Sequence, residues 1–307
     1  MQVRHLSAML AMLAMALMSG FGPASEPEPA PVKIGMPSSM FRDVPPAMFQ
    51  ALSTPLHNLV HSQTGLKSDL VLVQTADEMQ QQMQAGRIQF GVFYGFEFAW
   101  LQQKSPGLQP LMVAAPVHRP IQAFLIVHAT SLAKSLADLK GQTLALPTGT
   151  REHTRLYAER GCLKEGKSAA EFFGQIVKPA NAEEALHDVA DNKTIQAAIV
   201  DWAALQCFRT RNEGRFKMIK VLDQSPPFPE SVVAIWPGAL APDVVGSFKT
   251  GMQNARATPL GRQLLTLMSM SGFEPVPSNY RQQLADVTKA YPPAEATVAV
   301  PAAESIK

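Results

Sequence analysis

A two-block α/β architecture, with the second block inserted into the first, is the fold this sequence predicts. Apolar runs of strand length alternate with helical patterns from residue 32 to about 290, and no sequence repeat interrupts them. At 307 residues the chain exceeds the usual single core, so two lobes are expected. A composition of 46% hydrophobic and 17% charged residues excludes disorder over the whole length.

The elements follow in order. The first strand is expected at about Val32 to Gly35. Pro45 and Pro46 then open a helix whose Met48, Leu52, Leu56, Leu59 and Val60 share one face, with Gly65 as its stop. A second strand, Leu70 to Val73, leads to Thr75, which can cap a helix while Glu78 reaches back. Phe90 to Phe93 is the third strand, followed by Gly95 and a helix containing Trp100. Ala123 to Val127 and Thr143 to Leu146 are strands on either side of Ser135 to Gly141, and the chain turns at Pro147-Thr148-Gly149-Thr150. A helix from about Arg151 to Arg160 is expected to end at Gly161. A strand near Ile176 precedes a helix beginning around Asn181, where Glu184 completes a capping pattern. The buried strand Ala197 to Val200 ends at Asp201, before a helix from Trp202 to Phe208. Strands at Phe216 to Val221 and Ser231 to Ile235 flank a proline-rich turn. Pro242 and Pro259 suit first-turn positions, Thr258 is a cap, and Ser278 is assigned as the cap of the last helix.

The termini differ in kind. Arg4 and His5 precede an uncharged apolar stretch, Leu6 to Met18, and Gly22 and Ala24 supply the small residues of a cleavage site. A stretch of about 13 residues is short of the roughly 20 that span hydrocarbon. Residues 1–24 are therefore read as a signal peptide and the product as exported, soluble and periplasmic. Residues 25–31 read as a linker, 32–126 with 222–290 as the first lobe, 127–221 as the second, and 291–307 as a disordered tail. The net charge of +2 carries no basic stripe, which argues against nucleic acid. Cys162 and Cys207 meet an oxidising compartment on this reading. A disulfide between them is favoured, and two buried free thiols are the alternative.

Several phrases in order carry a resemblance: Val32-Lys33-Ile34-Gly35-Met36-Pro37, Gly91-Val92-Phe93-Tyr94-Gly95, Ser135 to Gly141, Pro147-Thr148-Gly149-Thr150, Ala197-Ala198-Ile199-Val200-Asp201 and Ser225-Pro226-Pro227-Phe228-Pro229. Over about Val32 to Ala290 the chain resembles the phosphonate and phosphite substrate-binding proteins of ABC importers. The resemblance implies a two-lobed periplasmic binding-protein-like fold, its lobes joined by crossing strands with a small anionic ligand between them. It also implies a monomer that serves an ABC permease or a sensor domain and carries no cofactor. An orphan receptor, or an enzyme on the same fold, is the alternative.

Pockets in such sheets form at the carboxyl ends of strands. Ser38 and Ser39, Tyr94 and Gly95, Thr148 to Arg151, and Asp201 each follow a predicted strand and are the expected ligand-binding residues. At the turn into a helix, free backbone amides and the helix dipole favour an anion. Thr148 and Thr150 can add hydroxyl donors, Gly149 permits close approach, and Arg151 offers a guanidinium fork. Where the family carries Ser-Thr-Ser, this chain reads Gly149-Thr150-Arg151 and keeps only the central hydroxyl; the alternative to a ligand cradle is that Thr148 or Thr150 merely caps the helix. Asp201 matches a cleft-facing family position and is an equally good helix cap. Glu97 is expected to face solvent or a lobe contact, because a carboxylate in the cleft repels a dianion, and His153 is expected at the surface. His57 and His61 are spaced i, i+4, yet no further ligands make a metal site, and none is expected. No nucleophile elbow, phosphate loop, dinucleotide fingerprint or paired Cys-x-x-Cys is present.

Overall fold

The structure, a computed structural model, describes residues 30–42, 46–192 and 194–293. The predicted signal peptide, most of the linker, and the tail beyond residue 293 lie outside the described residues.

Two sheets organise the chain. The first has six strands in the order β11-β4-β10-β3-β1-β2: β1 Val32–Pro37, β2 Ser68–Val73, β3 Phe90–Phe93, β4 Gln109–Pro116, β10 Ser231–Ile235 and β11 Met270–Glu274. β1 pairs in parallel with β2 and β3, and the rest pair antiparallel. The second has five, in the order β7-β6-β8-β5-β9: β5 Ala123–His128, β6 Thr143–Ala145, β7 Gln175–Val177, β8 Ala197–Asp201 and β9 Ile219–Gln224. β6 is parallel to both its neighbours, so β6, β7 and β8 point their carboxyl ends the same way.

Helices cover both faces of each sheet. α1 Pro46–Thr64, α9 Pro242–Gln253 and α10 Pro259–Leu267 bury Leu59, Phe248 and Leu264 against Val32, Phe90 and Val233. α2 Ala76–Gln84, α3 Gly95–Lys104 and α11 Tyr280–Ala290 close the other face of the first sheet with Met79, Phe98 and Tyr280. In the second lobe α4 Glu152–Lys164 and the short α5 Ala169–Phe172 cover Leu125, Leu144 and Ile199. On the opposite face α6 Ala182–Asp191 and α7 Trp202–Arg211, followed by α8 Glu213–Phe216, cover Phe124, Ala198 and Val200. The alternation along β5, with Phe124 and Ile126 on one side and Leu125 and Val127 on the other, is what lets one strand serve two cores.

Local signals set most helix starts. The Glu78 amide donates to Thr75 Oγ1 (3.1 Å), and the Glu78 carboxylate accepts from the Gln74 amide (3.0 Å). Asn181 accepts from the Glu184 amide (2.9 Å), Asp201 from Ala204 (2.8 Å) and Thr258 from Gly261 (3.1 Å). Two ends differ from expectation. α4 runs through Gly161 to Lys164, and the left-handed residue after it is Gly166 (φ +74°). Gly161 instead lies under Leu136, whose Cδ2 is 2.8 Å from where a Cβ would sit. The last helix has Asn279 rather than Ser278 at its start, with no side-chain cap. β4 and β11 were not anticipated, since Pro110 and Pro116 in β4 and Gly272 in β11 mask the strand pattern.

The chain passes between the sheets at residues 117–122 and 225–230. These segments touch through an antiparallel bridge between Ile121 and Phe228 and an ion pair between Arg119 and Glu230. The expected lobe boundaries at 126/127 and 221/222 thus fall inside β5 and β9, which belong wholly to the second sheet. Tyr291, placed in the tail by the sequence reading, is buried. Its ring stacks on Phe228 at 4.9 Å and its carbonyl accepts from Trp100 Nε1 at 2.8 Å.

The expected disulfide is absent. Cys162 is buried and Cys207 exposed, both as free thiols. Cys162 sits on α4 against one face of the second sheet, whereas α7, which carries Cys207, packs on the other face through Leu205 and Phe208.

Candidate functional site: an interlobe cleft

The starts of α4, α6 and α7 meet at the carboxyl ends of β6, β7 and β8, as parallel strands with right-handed crossovers require. They enclose a cavity of about 160 Å3 lined by Thr148, Gly149, Thr150, Arg151, Asn181 and Asp201, among others. Four of the expected site residues from the turn, and Asp201 some fifty positions later, are thereby brought together. Gly149 has φ +73°, a conformation that glycine adopts without strain. No hydrogen bond of the Glu152 or His153 amide is formed among the described residues, as first-turn geometry dictates.

The hydroxyl chemistry differs from expectation. Thr150 Oγ1 donates to the Pro147 carbonyl, and Thr154 Oγ1 donates to Arg151 O at 2.5 Å. The Thr150 proton is spent on closing the turn, so the hydroxyl can offer a ligand only a lone pair. Arg151 supplies the cation: its Nε lies 3.4 Å from Asp201 Oδ2, while Asp201 Oδ1 caps α7. Asp201 therefore serves as cap and as cavity wall at once.

Facing this cradle is the first lobe. Ser38–Phe41 forms a single 3-10 turn after β1. Ser38 Oγ lies 3.3 Å from the Gln74 carbonyl, turned toward the loop after β2. Ser39 Oγ is buried without a partner among the described residues and borders a larger cavity, about 630 Å3, between the lobes. Arg42, Glu97, Trp100, Glu152 and Arg155 also line it. Arg42 bridges the lobes with a two-pronged contact to Glu152, Nε to Oε1 at 2.7 Å and Nη2 to Oε2 at 3.2 Å.

Tyr94 precedes α3 with its ring stacked on Phe96. Burial first, and then the carboxylates of Glu152 and Glu97, push its hydroxyl above the usual phenol range, with Arg151 and Arg42 opposing. Gly95 has a packing reason: a Cβ there would come 2.4 Å from the Pro229 carbonyl of the second crossover. It lines neither of these two cavities.

Glu97 is partly buried and borders the cavity between the lobes, the second of the two places expected for it. Burial pushes its carboxyl up to about 7, helped by Glu152 and Asp77 and opposed by the hydrogen bond from the Tyr94 amide. His153 is not at the surface: it is 5% exposed, its ring centroid 5.4 Å from that of Phe228, and its Nε2 has no partner among the described residues. Burial pushes its imidazolium down to about 4, with Asp201 opposing and Arg151 reinforcing. His57 and His61 stack on each other, and His57 Nδ1 contacts the Ser68 carbonyl at 2.6 Å, which ties α1 to β2. Among the described residues no group of three or more His, Cys, Asp or Glu could hold a metal ion, and no helix is long and apolar enough to cross a membrane. Arg42, Glu152 and Arg155 were missed by sequence reasoning. Glu152 reads as an ordinary acidic residue in a first helical turn, and nothing local marks Arg42.

A search of curated proteins finds no match. Solved structures match over most of the chain at low identity. A Xanthomonas citri protein bound to chloride ion is 17% identical, covering 85% of this chain and 96% of its own, with a TM-score of 0.61. PhnD1 from Prochlorococcus marinus in complex with methylphosphonate is 11% identical, covering 86% and 98%, at 0.57. A binding-protein component of an ABC phosphonate transporter from Pseudomonas aeruginosa is 14% identical, covering 85% and 86%, at 0.55. These share the two-lobed fold. The family description "ABC transporter, phosphonate, periplasmic substrate-binding protein" matches residues 39–280. With more than half of its length in that match, the chain belongs to the periplasmic substrate-binding family of ABC phosphonate transporters and is a solute-binding protein.

Proposed function

We propose that the cleft captures a small oxyanion of the phosphonate type outside the cytoplasm and hands it to an ABC permease. The supporting observation is the meeting of three helix starts and the Arg151 guanidinium around one cavity of about 160 Å3. Each helix start contributes about half a positive charge and unpaired amides, which suits an anion better than any neutral solute. That volume is below the ~300–1,000 Å3 of drug-sized sites, which keeps the guest small. The two lobes move about segments 117–122 and 225–230, and closing them surrounds the guest. Capture rather than turnover is the role. Cys162 is an inert nucleophile, its thiol pushed up to about 11 mainly by burial, and lies near the far end of α4 from the cradle.

A thermal-shift panel of phosphate, phosphite and methylphosphonate tests the reading. A ligand held at 100 times its Kd stabilises by about 2.7 kcal/mol, enough for a clear rise in Tm. A flat response to every anion in the panel defeats it.

A further inference from the structure

We propose that Arg151 is a resident counter-cation for Asp201, so that the cradle selects a small oxyanion without an ammonium group of its own. This deepens the function proposed above and rests on it. Both side chains line the same 160 Å3 cavity, with Nε 3.4 Å from Oδ2. The carboxylates nearest the cradle on the cleft side are spoken for: Glu152 by Arg42 and Arg155, and Glu97 by the Tyr94 amide. Asp201 is thus the one carboxylate at the cradle wall that a ligand cation could seek, and Arg151 already occupies that place. A guanidinium tethered in the neighbouring turn competes with a dissolved ammonium at high effective concentration.

A second, independent observation points the same way. Arg151 holds the N-cap position of α4, makes no side-chain cap there, and puts positive charge at the positive end of a helix. Helix stability disfavours the residue on both counts, and residues that break a local rule mark function more often than chance. The buried His153 Nε2, unpartnered beside this turn, is a further polar atom that the fold itself leaves unused.

The test measures calorimetric affinities of methylphosphonate and 2-aminoethylphosphonate for the full protein and for two variants. Asp201→Asn removes the charge while retaining a good cap for α7. The native protein is expected to favour methylphosphonate by about tenfold, because the zwitterion must displace a guanidinium to pair its amine. Arg151→Gln is expected to reverse that order, and Asp201→Asn, with no carboxylate left for an amine to pair with, to keep methylphosphonate the tighter ligand. Equal or tighter binding of the aminophosphonate by the native protein overturns the proposal, as does an equal loss of both ligands in Arg151→Gln. If the folded native protein binds neither phosphonate, the anion reading falls as well, which separates the two failures.

Discussion

Two titratable side chains close to the lobe junction, Glu97 partly buried and His153 buried, have opposite effects on stability. Glu97 has its carboxyl raised to about 7 by burial, so the folded state prefers the neutral acid. The stability this lends is full below the unfolded value near 4.5 and is lost as pH rises through 7. His153 is the reverse. Its folded value of about 4 lies below the unfolded 6.5, so its contribution is full above 6.5 and is lost as pH falls toward 4. Glu97→Gln is therefore expected to raise stability by about 1–3 kcal/mol at pH 8 and to change little at pH 4. His153→Gln should flatten the decline between pH 6.5 and 4. Denaturant unfolding across pH reads both, and identical pH profiles for variants and native protein would contradict these assignments. Glutamine at position 97 still accepts from the Tyr94 amide, which isolates the charge.

At the scale of elements, capping chemistry decided where helices begin, and it was largely visible in advance. Thr75, Asn181, Asp201 and Thr258 all cap as their side chains allow, because the bond spans three residues and needs no distant partner. Helix ends were less legible. Gly161 and Gly166 both qualify as stops in the sequence, and what separates them is Leu136, which comes from another segment and packs onto the first. Gly95 has the same lesson in the other direction: it opens α3, yet its reason is the crossover carbonyl 2.4 Å from a Cβ. Gly95→Ala is expected to cost about 2–3 kcal/mol through backbone displacement, seen as a fall in Tm without loss of helix content. An unchanged Tm would show that the crossover yields easily.

Across the whole molecule, one apolar core runs from the first lobe through Phe228 and Tyr291 into the second, so the lobes share packing rather than standing as independent units. The Arg42 to Glu152 bridge spans the cleft on one side. Arg42 is 54% exposed and Glu152 15%, so the pair contributes at most about 1 kcal/mol. Glu152→Gln is expected to enlarge the ligand-free radius of gyration in solution scattering and to change ligand affinity by no more than about fivefold, less at high salt. A ligand-free protein of native compactness in that variant would remove the bridge from the closing machinery.

The alternation of strands and helices, most of the caps, the turn at Pro147 to Thr150 and the family phrases were legible from the chain alone, because each is set by contacts among residues a few positions apart. Which residues share the cleft was settled only in three dimensions. Arg151 meets Asp201, Arg42 meets Glu152, Tyr291 lies on Phe228, and the two cysteines part to opposite faces of one sheet. Such pairings depend on strand order and helix placement rather than on spacing. The same holds for His153 and Glu97, whose burial follows from packing between segments that the sequence keeps far apart.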